Sequence, residues 1–124
     1  MASIFNAAEL ASFDHPHEIR SFGNGRAEVV KVSGAEIGRY ILEPGFRWIE
    51  DLEPIAGEEW CKAPHFQYHV AGTLRIRLTD GTEFDAGPGT IVALPTPHIG
   101  WVVGDEPVVA IDWWGILDFA KQRR

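Results

Sequence analysis

The sequence is short of the residues that build covalent frameworks or basic surfaces. It holds one cysteine, Cys61, so no internal disulfide can form. That agrees with a reducing compartment and leaves the thiol as a packed hydrophobe, a metal ligand or a reactive group. Basic residues are outnumbered, 11 Lys and Arg against 18 Asp and Glu, for a net charge of −7. A surface of that sign repels phosphate backbones and argues against nucleic acid as a partner. No apolar run approaches the roughly 20 residues needed to cross a bilayer, and the stretch from Met1 to His15 lacks the basic start and unbroken apolar core of a signal peptide. A soluble, cytoplasmic protein without a membrane partner is therefore expected. Helical periodicity is scarce too.

What is present is a small apolar chain cut into short pieces. Its 124 residues, 45% hydrophobic and 11% aromatic, suffice for one core and one domain. Asn6-Ala7-Ala8-Glu9 has the form of a capping box, which predicts a short helix to about Ser12. Pro16, Gly23 and Gly25 then break any regular pattern, so residues 1–26 read as a helix and an arm, and residues 27–124 as a single barrel domain. Strands are predicted at about 27–32, 35–43, 46–48, 58–61, 65–71, 73–79, 82–85, 90–94, 98–103 and 107–114. Closely spaced turn residues between such segments are the mark of an all-β barrel or sandwich. Asp80-Gly81 is the strongest turn, because it tolerates the positive φ of a tight hairpin. In the strand before it, Leu74, Ile76 and Leu78 share one face and Arg75 and Arg77 the other.

From about Pro44 to Trp114 the order of elements resembles the cupin superfamily. The clearest part is the Gly87-Pro88-Gly89 turn, the apolar strand over 90–94, the Pro95-Thr96-Pro97 turn and His98. The resemblance implies a cupin-type β-barrel (double-stranded β-helix or jelly roll) and makes His98 a metal ligand. Aligned on Gly72, the other ligand positions of the family fall on Glu59, Cys61 and His65. On one straight strand Cys61 and His65 would lie roughly 13 Å apart, too far to share an ion. A bend at Lys62-Ala63-Pro64 would let them face each other instead. A thiolate with two imidazoles favours Zn²⁺ among divalent metals, with Fe, Mn or Ni as alternatives. Glu59 is then a fourth ligand or a general base on metal-bound water. Leu42-Glu43-Pro44-Gly45-Phe46-Arg47-Trp48, Pro54-Ile55-Ala56-Gly57 and Trp101-Val102-Val103-Gly104-Asp105-Glu106-Pro107 resemble a group of small single-domain cupins, in which a histidine often stands where this chain has Asp51.

Around that core, Glu59, Glu50 and Asp51 are candidate acids or bases, although an acidic cluster is most simply a hydrated loop. Trp48, Trp60, Trp101 and Gln67 are candidate ligand contacts, although large aromatics also fill small barrels. His69 reads as a hydrogen-bonded core residue, and His15-Pro16-His17 as a solvated loop. Trp113 and Trp114 are consecutive on a predicted strand, so one should point outward, which with the cupin resemblance suggests a homodimer. Three functions follow: a metal-dependent enzyme of lyase, isomerase or cyclase type acting on a small organic molecule; a non-catalytic ligand-binding or sensing module; and a metal-free barrel filled for packing. An iron-dependent dioxygenase is a lesser alternative, disfavoured by the thiolate.

Overall fold

The computed structural model describes residues 7–95 and 97–117. Among the described residues nine strands form two antiparallel sheets. These are β1 (Glu18–Phe22), β2 (Gly25–Val32), β3 (Ala35–Leu42), β4 (His65–Ala71), β5 (Thr73–Leu78), β6 (Glu83–Ala86), β7 (Ile91–Leu94), β8 (His98–Val103) and β9 (Val108–Asp112). The larger sheet has the order β1-β2-β3-β9-β4-β7 and the smaller β6-β5-β8. Their inner faces enclose an apolar core that includes Val29, Leu42, Phe46, Trp48, Leu52 and Val108, with a second cluster of Ile76, Ala86, Val92 and Leu94.

Turn chemistry sets the connections. Ser33 (φ 52) and Gly34 (φ 77) close the β2–β3 hairpin between Val32 and Ala35, the paired positive φ values that match strand twist. Asp80-Gly81 turns the β5–β6 hairpin as expected, with the Thr82 N–H donating to Asp80 Oδ1 at 2.9 Å. Beyond it, Arg75 pairs with Asp85 and Arg77 with Glu83 on the wet face, while Ile76 is buried opposite. Gly72 carries the chain from β4 in one sheet to β5 in the other. At φ 72, any Cβ there would lie 2.3 Å from the Pro107 carbonyl oxygen, so only glycine fits.

The structure departs from sequence expectation in four places. Residues 7–12 are not helical, and Asn6, the expected cap, lies outside the described residues. Glu9 instead accepts from the Ser33 N–H at 2.9 Å. The expected arm holds β1, which pairs along its whole length with β2. The segments 46–48 and 58–61 are not strands: Arg47 and Cys61 make lone bridges to Trp101 and His98. Between them the chain forms two helical turns, α1 (Trp48–Asp51) and α2 (Glu53–Ala56), the second with Pro54 in its first turn and closed by Gly57 at φ 75. Finally, β9 stops at Asp112, so Trp113 and Trp114 both lie outside the barrel, 47% and 52% exposed.

Candidate metal centre

Strand β4 alternates as a half-buried strand should, but with inverted chemistry. Phe66, Tyr68 and Val70 face out, and His65, Gln67 and His69 face in. Three polar side chains on an inner face are costly unless hydrogen-bonded. The neighbouring strand supplies the partner. Asp112, fully buried on β9 opposite Gln67, accepts at Oδ2 from the Tyr40 hydroxyl (2.7 Å), the Gln67 amide (3.2 Å) and His65 Nδ1–H. Its Oδ1 accepts from the backbone N–H groups of Phe66, Trp114 and Gly115 at 3.3, 2.9 and 3.0 Å.

With Nδ1 held by Asp112, His65 turns Nε2 toward Cys61, whose Sγ is 3.5 Å away. The lone bridge from Cys61 to the first residue of β8 brings His98 alongside, its ring centroid 5.1 Å from that of His65. One ligand atom from each of Cys61, His65 and His98 lies within 4.8 Å of the others, and all three residues are buried. The expected turn at Lys62-Ala63-Pro64 is what permits this.

Charge follows geometry. Burial raises the Cys61 thiol pKa, but hydrogen bonds and positive charge from His65 and His98 prevail and bring it down to about 6. Burial lowers that of His65, and the hydrogen bonds with Asp112 and Cys61 reverse this, raising it to about 9. Burial works against the Asp112 carboxylate too, yet His65, the Gly115 N–H and Tyr40 hold it well below the usual range. The metal-free centre is thus a thiolate beside an imidazolium, fixed by a buried carboxylate.

Other expected site residues fall elsewhere. Glu59 is exposed and is not part of the ligand cluster, because 58–61 is irregular and turns its side chain to solvent. Glu50 is exposed and pairs at 3.9 Å with Arg47. Asp51 serves α1, accepting from the Arg47 N–H at 2.9 Å and from Asn24 at 3.3 Å. Trp48 and Gln67 line a cavity of about 40 Å³ along with Leu52, Ile76 and His69, and Cys61, His65 and His98 form part of the same wall. Trp60 packs half-buried against the core without reaching that cavity. Trp101 lies under the guanidinium groups of Arg47 and Arg77, each 5.2 Å from its ring centroid, and is also not in the cavity wall. Asp112 was missed. Its signal was a lone acid on the inward face of an otherwise apolar strand.

His69 is hydrogen-bonded in the core, as expected, and fully buried. Burial lowers its pKa from 6.5 to about 4. Between those values the unfolded chain takes up a proton that the folded chain refuses, so stability falls as pH drops from 6.5 toward 4. The loss due to this residue should be about 3 kcal/mol. Urea midpoints of metal-free protein at pH 7 and pH 4 should therefore fall further apart for wild type than for His69→Gln. Equal shifts would contradict the assignment.

No family model matches the chain, and no curated protein does. Solved structures match its fold. A Rhizobium leguminosarum protein of unknown function has a TM-score of 0.62 at 19% identity, covering 87% of this chain and 96% of that one. A variant of Bacillus subtilis oxalate decarboxylase gives 0.59 at 20%, covering 92% and 31%. Lactobacillus farciminis oxalate decarboxylase, solved with formate, gives 0.55 at 14%, covering 79% and 30%. This chain thus spans about a third of the length of the decarboxylases but nearly all of the Rhizobium protein. The fold is that of a cupin barrel. Among the described residues no helix is long and apolar enough to cross a membrane.

Proposed function

We propose that this chain is a metal-dependent cupin that holds one divalent ion, zinc by its donor set, on Cys61, His65 and His98 and turns the remaining position toward a small molecule in the barrel. The observation that carries the reading is the Sγ–Nε2 separation of 3.5 Å. A tetrahedral zinc with sulfur at about 2.3 Å and nitrogen at about 2.05 Å places those donors about 3.6 Å apart. Bacillus subtilis oxalate decarboxylase has Mn(II) centres, which supports a divalent ion on this fold; a thiolate among the donors favours zinc over manganese.

When bound, such an ion supplies Lewis acidity for non-redox chemistry of the lyase, isomerase or cyclase type. The protein's own part is positional. Asp112 fixes the His65 tautomer, and Cys61 arrives already ionised. Trp48 and Leu52, both buried, supply apolar wall to the cavity. Among the described residues no carboxylate lines the cavity, so proton movement there falls to Tyr40 and the histidines. The exposed strip of Phe66, Tyr68, Val70, Ile91, Trp113 and Trp114 supports a homodimer that covers this outer face.

Metal analysis and sedimentation of purified protein test both statements. The expected result is one zinc per chain in a particle of twice the 13.8 kDa chain mass. The metal should fall to a tenth or less in Cys61→Ser and His98→Ala. Protein that takes up no metal, with stability unchanged by added zinc, would instead support a barrel filled for packing.

A further inference from the structure

Beyond the metal centre, the network on β4 fixes the chemistry of the cavity wall. Asp112 Oδ2 only accepts, so the Gln67 atom 3.2 Å from it is the amide nitrogen. The Gln67 carbonyl oxygen therefore faces His69, whose Nε2 lies 3.0 Å away and must donate. A neutral imidazole with hydrogen on Nε2 has a bare lone pair on Nδ1. That atom is buried and has no hydrogen-bond partner among the described residues. Two hydrogen bonds thus turn a carboxylate on β9 into an acceptor on β4.

The cavity that His69 lines is about 40 Å³. At roughly 10–15 Å³ for each water-sized occupant, it takes about three or four non-hydrogen atoms. Cys61, His65 and His98 share its wall, so the charge of the centre faces the same space. A purely apolar end facing Nδ1 would leave that acceptor orphaned, whereas an N–H or O–H would satisfy it.

We propose that His69 selects the ligand of this cavity, a molecule of three or four non-hydrogen atoms that points an N–H or O–H at Nδ1. The proposal rests on the reading of the barrel as a ligand site and gives that ligand a chemical class. It makes His69 a specificity residue, with Gln67 and Asp112 positioning it.

Acetamide and acetone test this, since they share a four-atom shape and differ in the N–H donor. Binding to zinc-loaded and to metal-free protein would be followed by NMR of ¹⁵N-labelled histidine. The free protein should show Nε2 protonated and Nδ1 bare on His69. Acetamide should bind about tenfold more tightly than acetone and move the Nδ1 signal. His69→Leu should abolish the preference while keeping zinc content unchanged. Gln67→Leu, which frees the tautomer, should shift the preference toward acetone. Equal binding of the two, no binding of either, or a preference that survives in His69→Leu would overturn the proposal. Loss of zinc from wild type with the acetamide preference intact would overturn the metal reading alone.

Discussion

Asp112→Asn should destabilise the protein by about 3–5 kcal/mol and weaken metal binding about 10–100-fold, although it changes one atom. Each carboxylate oxygen of Asp112 accepts three hydrogen bonds. An asparagine has one oxygen and one NH₂. Turned toward Phe66, Trp114 and Gly115, the NH₂ meets three backbone donors that cannot reverse. Turned toward Tyr40, Gln67 and His65, it meets groups that can, but at a cost. His65 must then present Nδ1 as an acceptor, and its Nε2 hydrogen points at the metal position. The imidazolium also loses the buried negative charge that raises its pKa. Urea unfolding and competitive zinc titration would measure the two effects. A variant within 1 kcal/mol of wild type, with unchanged zinc affinity, would show that Asp112 is not the anchor of the centre (~1 kcal/mol being the scale of one ordinary hydrogen bond).

How much of this was legible beforehand depends on the range of the interaction. The Gly-rich turn, apolar strand and Pro-containing turn before His98 are local signals, and they marked β7 and β8 and singled out His98, which the structure sets beside Cys61 and His65. Gly72 was legible as the landmark from which His65 and Cys61 could be counted, and the structure shows why it must be glycine. The capping box at Asn6 misled because the letters fit, yet the segment behind it is too short and has no apolar stripe to pay for helix nucleation. The helical turns at 48–56 are each four residues long, below any period that patterning detects; only Pro54 and Gly57 hinted at them. Glu59 was placed inward by counting along a strand that does not exist. Asp112 was hidden differently: its partner His65 is 47 residues away, and nothing local says that an acid at the end of β9 will meet a histidine at the start of β4.

The same long-range contact explains a glycine that no turn requires. Gly115 lies in the 3-10 turn that follows β9, and its φ is not in the left-handed region. A Cβ added there would sit 2.1 Å from His65 Nδ1 and 2.8 Å from Asp112 Oδ2, inside the pair. Neither partner can move aside, since His65 is 2% exposed and Asp112 not at all. Gly115→Ala should therefore cost about 3 kcal/mol, the upper end for overpacking, and lower zinc affinity at least tenfold by displacing the imidazole. Gly87→Ala is the control: its Cβ would meet nothing nearer than Thr73 Oγ1 at 3.9 Å, so stability and zinc binding should be retained. If the collision is with His65, truncating that side chain should relieve it. His65→Ala with Gly115→Ala should then be more stable than the sum of the single losses predicts. Strict additivity would place the strain of Gly115→Ala in the backbone of the turn and leave the His65–Asp112 pair undisturbed.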